Sequence, residues 1–205
     1  MEKHLKSKVT INRLCYKGLD VFAQKGYHNT NLNDILRELC LSKGAFYHHF
    51  KSKEDFFVYI VQNLVAQKIY ALLVEPLSAQ EDPLSAIMES LDKALEPRKS
   101  NELIYGFMLG DFLTELDGKQ EQISAYLKDI LQMWEVNMIG MLKKGKLDGH
   151  LARHIDCEGV AAYIISSYLG MRTMMMNHNP KQAKYQYLQQ LRHYFNSLRP
   201  SAIRA

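Results

Sequence analysis

The chain has 205 residues, 47% hydrophobic and 23% charged, which is enough apolar side chain to bury a core and excludes a disordered tail. Its 26 basic and 22 acidic side chains leave a net charge of +4. Residues 1–60 hold ten of the basic and six of the acidic residues, so the whole excess lies there and the remainder is balanced; a basic end on a neutral body points to a nucleic-acid or anionic contact confined to one end.

Few Pro and Gly exclude a collagen-like or linker-rich chain. The longest uncharged stretch, 159–171, is shorter than the roughly 20 apolar residues of a membrane helix. The polar N-terminus leads into no apolar signal segment, and no membrane partner is expected. Cys15, Cys40 and Cys157 are odd in number and far apart, which fits a reduced cytoplasm rather than a disulfide framework.

Apolar spacing is helical nearly throughout, with no bounded run of alternating strand character, so the expected fold is all-α with about nine helices and no sheet. Ile11, Leu14, Cys15, Leu19 and Phe22 line one face of a first helix that Gly26 ends. Asn31 caps a second helix, with Asp34 completing a variant capping box. Ser42 caps a third, Lys43 to His49, with Phe46 and Phe50 inward. Ser52 caps a fourth, with Glu54 and Asp55 in its first turn, and Pro76 closes it. Asp82-Pro83 opens the next as cap and first residue, and Pro97 ends it. An apolar helix from Leu103 to Leu116, a long one from Ile123 to near Gly145, one capped by Asp156 and running to about Met176, and a last one opened by Asn179-Pro180 complete the chain.

The informative stretch is 31–50. A short capped helix, a three-residue break at Cys40-Leu41-Ser42 and a second short helix form a helix-turn-helix, whose second helix enters the major groove. That helix turns Lys43, Gly44, Ala45, Tyr47, His48 and His49 outward. Lys43 can reach a guanine edge or a phosphate, Gly44 and Ala45 permit close approach, and the Ala45 methyl can meet a thymine methyl. Tyr47 and His49 offer donors to phosphate oxygens. Lys51 and Lys53 flank the start of the fourth helix, whose N-terminal N–H groups can hold a phosphate.

Residues 26–35 (Gly-Tyr-His-Asn-Thr-Asn-Leu-Asn-Asp-Ile) and 41–54 (Leu-Ser-Lys-Gly-Ala-Phe-Tyr-His-His-Phe-Lys-Ser-Lys-Glu) resemble the DNA-binding domain of the TetR family of bacterial repressors. The resemblance spans roughly residues 8–60. It implies an all-helical homodimer, with an N-terminal reading head at 1–52 and a ligand-binding and dimerisation domain at 53–205. It implies that Lys43, Ala45 and His48 face bases, that Tyr47, His49 and Lys53 hold the backbone, and that Asn33, beside the cap Asn31, reaches the groove edge. The turn position that is commonly Gly in the family is Cys40 here; a non-Gly residue at a positive φ is mildly strained, so a slightly different shape of turn is expected. Farther on, residues 106–116 are similar to a segment of repressors that sense electrophiles and related small molecules. The cysteine of that segment falls at Phe107, which counts against thiol sensing there.

Tyr105, Met108, Trp134, Met138, Tyr163, Tyr168, Met171 and Met175 form an aromatic and Met-rich set. Each can be read as core, and the family resemblance implies that some of them line an inducer cavity. No charged residue stands out there as a counter-ion. Ile164, Tyr168 and Met175, with Tyr187, Leu191 and Tyr194, could pair two copies through the last two helices or complete the monomer core; the family resemblance favours the homodimer through these helices, since two reading heads need a dimer to reach two half-sites of a pseudo-palindromic operator, roughly 34 Å apart. His150, His154, Asp156 and Cys157 have metal-ligand types, but a polar loop and a helix cap account for them.

The expected function is a DNA-binding repressor released from its operator by a small-molecule inducer, with no cofactor, no metal and no catalytic residue. The alternatives are an activator on the same fold, or a metal-dependent enzyme using the 150–157 loop.

Overall fold

The computed structural model describes the backbone of residues 2–78, 81–96 and 105–200, and the side chains of those residues except 2–6, 78, 105–108 and 176–177. Among the described residues there are nine helices and no strand, counting the segment 53–74 as one. Packing divides the chain into two compact units, Met1–Gln67 with Ser100–Asp129, and Lys68–Lys99 with Ile130–Ala205.

The first unit contains α1 (Glu2–Asn29), α2 (Leu32–Glu38), α3 (Lys43–Tyr47), α4 (Lys53–Ile60) and α7 (Tyr105–Leu116). Leu14, Cys15, Leu19 and Phe22 of α1 are buried as their spacing requires, with Ile11 partly covered. Gly26, at φ 78° and ψ 170°, breaks α1 before its last turn. An aromatic core closes the unit: Phe22 meets Phe57 edge-on at 4.7 Å, Phe46 meets Phe56 at 5.3 Å, and Phe50 lies 4.8 Å from Phe56. Such pairs add about 1 kcal/mol each beyond area burial.

After α4 the helix continues through a π turn (Val61–Val65), α5 (Ala66–Ile69), a second π turn (Tyr70–Val74) and a 3₁₀ turn (Glu75–Ser78) that contains Pro76. A plain α-helix was expected here. The inward residues Val61, Val65, Ile69 and Leu73 recur every four positions, a step that over-rotates by about 40° in an α-helix. The wider π turns remove that drift. Lys53–Leu77 is long and apolar enough to cross a membrane by length and composition alone, and core helices share that composition.

The second unit contains α6 (Pro83–Ala94), most of α8 (Glu121–Leu147), α9 (Cys157–Asn177) and α10 (Pro180–Leu198). Asp82, Asp156 and Asn179 cap α6, α9 and α10 through bonds from Leu84, Glu158 and Lys181 N–H groups. α8 ends at Leu147, near Gly145 as expected, but Gly145 itself lies inside the helix rather than beyond its end. It is a close-approach site instead: a Cβ there would lie 2.3 Å from Pro83 Cγ and 3.0 Å from Leu151 Cδ1. Pro97 lies outside the described residues, and α6 is complete at Ala94.

Ile164, Tyr168 and Leu191 are buried inside this unit. They therefore complete the core rather than pair two copies. Tyr187 joins α10 to α9 by a 3.0 Å hydrogen bond with Ser167, and Tyr194 packs 4.7 Å from Tyr163.

Candidate nucleic-acid interface

The reading head is built by local chemistry. Asn31 Oδ1 accepts the Asn33 N–H at 2.9 Å and starts α2. Asp34 does not reach back to complete a capping box; its carboxylate faces Arg37 at 2.9 Å and Lys25 at 3.8 Å. At the other end of α2 the Leu41 N–H reaches Leu36 O at 2.9 Å and the Cys40 N–H reaches Arg37 O at 3.1 Å. This pair of bonds is a Schellman turn, which demands a left-handed residue between them. Cys40 supplies it at φ 54°, so the turn keeps its left-handed residue and is not reshaped to suit a side chain.

Ser42 Oγ accepts the Ala45 N–H at 3.1 Å and starts α3. The helix is shorter than expected, ending at Tyr47 with His48 as its C-cap. Phe46 and Phe50 fix its inner side. Lys43, Gly44 and His48 are exposed, Ala45 and His49 are partly covered, and the Tyr47 ring is 57% exposed. A Cβ on Gly44 would meet only Ser42 Oγ, at 3.8 Å, so this face is open to close approach. Ser52 Oγ accepts the Asp55 N–H at 3.0 Å, and Asp55 Oδ2 accepts the Lys51 N–H at 2.8 Å. That reciprocal cap holds Lys51 beside α3.

Pairing sorts the charges of the head. Lys17 is bound to Glu38 and lies 3.7 Å from Asp20; Lys25 and Arg37 share Asp34. Lys43 and Lys51 make no ion pair among the described residues and stay exposed. Unpaired positive charge is thereby left at the two ends of α3, with Lys8 and Arg13 also exposed on α1. Burial and then the neighbouring His48 hold the His49 imidazole below its ordinary pKa, so at neutral pH it is uncharged and can donate one ring N–H.

Lys53 is less free than its sequence position implies. Its Nζ donates to His28 O at 3.3 Å and lies 4.6 Å from the Tyr27 ring centroid. Burial lowers its pKa, and the Glu115 carboxylate acts against that shift.

In the second unit Trp134, Met138 and Tyr168 are fully buried together, Trp134 meeting Tyr168 edge-on at 5.3 Å. The Trp134 indole N–H is buried with no hydrogen-bond acceptor among the described residues. Met171 and Met175 are partly covered, whereas Tyr163 is 51% exposed. The side chains of Tyr105, Phe107 and Met108 lie outside the described residues.

One residue missed from the sequence is Arg172. It is only 5% exposed; its guanidinium donates to Ala94 O at 3.2 Å and lies 5.8 Å from the Tyr168 ring. Its spacing from Tyr168 by one turn was the available signal, but the partner on α6 is 78 residues away. A cleft of about 420 Å³ opens elsewhere in this unit, between α6 and α10, lined by Leu84, Met88, Asp92, Arg192 and Phe195 among others. No group of three potential metal ligands converges among the described residues, and Cys157 is buried while Asp156 is engaged as the α9 cap.

Known proteins match this arrangement along its length. Residues 17–60 match the model of bacterial regulatory proteins of the tetR family, and residues 83–191 match the tetracyclin repressor-like C-terminal domain. The transcriptional repressor DhaR of Mycobacterium sp. (strain GP1) is 26% identical, covering 92% of this chain and 91% of its own. The regulator RutR of Escherichia coli (strain K12) is 28% identical over 63% of this chain and 60% of its own. Among solved structures, a TetR transcriptional regulator from Chloroflexus aurantiacus superposes with a TM-score of 0.80 at 18% identity, covering 94% of this chain and 97% of its own. Reduced E. coli NemR superposes with a TM-score of 0.77 at 18% identity, covering 95% and 100%. The relatives are transcriptional regulators, which gives the enzyme alternative no support. With its helix-turn-helix head and both family domains in order, the chain belongs to the TetR family of bacterial DNA-binding transcriptional regulators.

Proposed function

We propose that this protein is a repressor whose α3 reads a pseudo-palindromic operator and whose second unit binds a small-molecule inducer. The observation that carries this is the sidedness of α3: Phe46 and Phe50 are buried, while Gly44, Tyr47 and His48 face solvent between the unpaired Lys43 and Lys51. Lys43, Ala45 and His48 serve bases; Tyr47, His49, Lys51 and Lys53 serve phosphates; Asn31 and Asn33 lie at the groove edge. In division of labour the head is 1–52 and the ligand and dimerisation part 53–205.

The inducer site is centred on Trp134, Met138 and Tyr168 of the second unit, with Met171 and Met175 as further lining, and the indole N–H, buried with no acceptor among the described residues, supports it as a donor to a ligand. Two copies pair through the last two helices. The face used is the exposed one, Tyr163 and Met174 on α9 with Gly170 between them, where a Cβ would meet nothing within 4 Å. Inducer binding shifts the dimer toward a head spacing that no longer fits successive major grooves. As a regulator of bacterial DNA it acts in the cytoplasm.

A mobility-shift assay on the duplex flanking its own gene tests the proposal. Wild type retards the fragment and Tyr47→Ala weakens it by about tenfold, the value of one or two phosphate-directed hydrogen bonds. No retardation at low salt, or no effect of Tyr47→Ala, contradicts it.

A further inference from the structure

Gly26 breaks α1, and the two N–H groups that follow it, of Tyr27 and His28, turn to a side chain outside the helix. Both point at one carboxylate. Glu115, near the end of α7, accepts the Tyr27 N–H on Oε2 at 2.9 Å and the His28 N–H on Oε1 at 2.8 Å. Charge-assisted bonds to two successive N–H groups are about twice as strong as neutral ones. Only Gly fits beside them: a Cβ on Gly26 would stand 2.8 Å from Glu115 Oε2, and its φ of 78° is left-handed.

The same short segment is held from its other side. Lys53 Nζ bonds His28 O and covers the Tyr27 ring, and the Thr30 hydroxyl donates to Gly26 O at 2.6 Å. One turn before Glu115, Phe112 meets Phe57 edge-on at 4.8 Å, and Phe57 in turn touches Tyr27 at 5.0 Å. Segment 27–30 leads directly into Asn31, the cap of α2, and so into the helix-turn-helix. Its orientation fixes where α2 and α3 stand.

We infer that Glu115 is a positioning residue for DNA recognition: its carboxylate clamps segment 27–30 and, through it and Lys53, sets the orientation of the helix-turn-helix, without touching DNA itself. The inference rests on the proposed DNA-reading role of α3. It makes a prediction of unusual sign. An acidic side chain close to a DNA-facing lysine repels phosphates, so if Glu115 were a bystander its removal would tighten DNA binding. A positioning residue gives the reverse.

The test uses the full-length protein with Glu115→Ala and the milder Glu115→Gln, whose single carbonyl oxygen can keep one of the two bonds. Amide hydrogen exchange without DNA is read first, then affinity for duplexes selected from a random pool by the wild type, at several salt concentrations. Expected for Glu115→Ala are a loss of protection of about tenfold or more confined to residues 27–30 and the α2–α3 region, a roughly tenfold weaker Kd, and a salt slope equal to wild type, with Glu115→Gln intermediate.

Unchanged protection at 27–30 overturns the clamp. Lost protection with an unchanged or tighter Kd overturns the positioning role. A uniform loss of protection across both units overturns it too, because it assigns Glu115 to global stability; should Glu115→Ala not fold, Glu115→Gln is judged by the same criteria. If the wild type selects no duplex, the DNA-reading role fails, and the positioning role with it, whatever the exchange pattern shows of the clamp.

Discussion

Cys40 carries a backbone conformation that suits it poorly. A non-Gly residue in the left-handed region costs about 1–2 kcal/mol, partly offset because Gly loses more chain entropy on folding. Cys40→Gly is therefore expected to stabilise the protein by roughly 0.5–1 kcal/mol in denaturant unfolding, and a loss of stability would mean that the exposed thiol makes a contact the Schellman turn needs. The other cysteines differ in kind. Burial pushes the Cys15 thiol up to about 12, and burial is also the main influence raising Cys157. Neither is a ready thiolate at neutral pH.

At the scale of the element, capping decides where helices begin. Asp82 caps α6 through the Leu84 N–H, also accepts the Ser85 hydroxyl at 2.6 Å, and pairs with Arg199 Nη2 at 2.6 Å. Burial raises this carboxyl, but the bonds from Arg199, Ser85 and Leu84 together hold it below its ordinary range. A carboxyl lowered in the folded state stabilises the fold above its unfolded pKa of about 4, and that contribution is lost as pH falls through the lower folded value. Asp82→Ala should cost about 1–2 kcal/mol at pH 7, mostly the cap because Arg199 is partly exposed, and the gap to wild type should close in acid below about pH 4. A pH-independent difference in unfolding free energy would contradict this.

These caps show what was legible in the sequence. Asn31, Ser42, Ser52, Asp82, Asp156 and Asn179 were all placed correctly, because a cap is settled within three or four residues. The π turns, the internal position of Gly145, the clamp by Glu115 and the burial of Arg172 were not legible. Each depends on a packing partner distant in the chain or on a side chain whose surroundings exist only after folding. Lys53 shows the boundary: its place beside α3 followed from the motif, but its bond to His28 O did not.

At the scale of the whole molecule, the basic excess of the first sixty residues resolves into a few side chains. Lys17, Lys25 and Arg37 are neutralised within the head, which leaves Lys43 and Lys51 beside α3, and Lys8 and Arg13 on α1, exposed without an ion pair among the described residues; on the proposed reading the first two carry the field at the operator. A dimer doubles that field and sets the half-site spacing. Gly170→Arg on the exposed face of α9 should leave the helical content unchanged and shift sedimentation from dimer to monomer; a variant that remains dimeric would show that the copies pair elsewhere.

The most direct test of DNA reading by α3 is a salt-dependent binding titration of Lys43→Ala and Lys51→Ala on selected and scrambled duplexes. Lys51→Ala should weaken both duplexes alike and reduce the slope of log K against log salt by about one, while Lys43→Ala should also shrink the ratio between the two. An unchanged ratio for Lys43→Ala, with wild-type discrimination intact, would contradict the assignment of α3 as the reading helix.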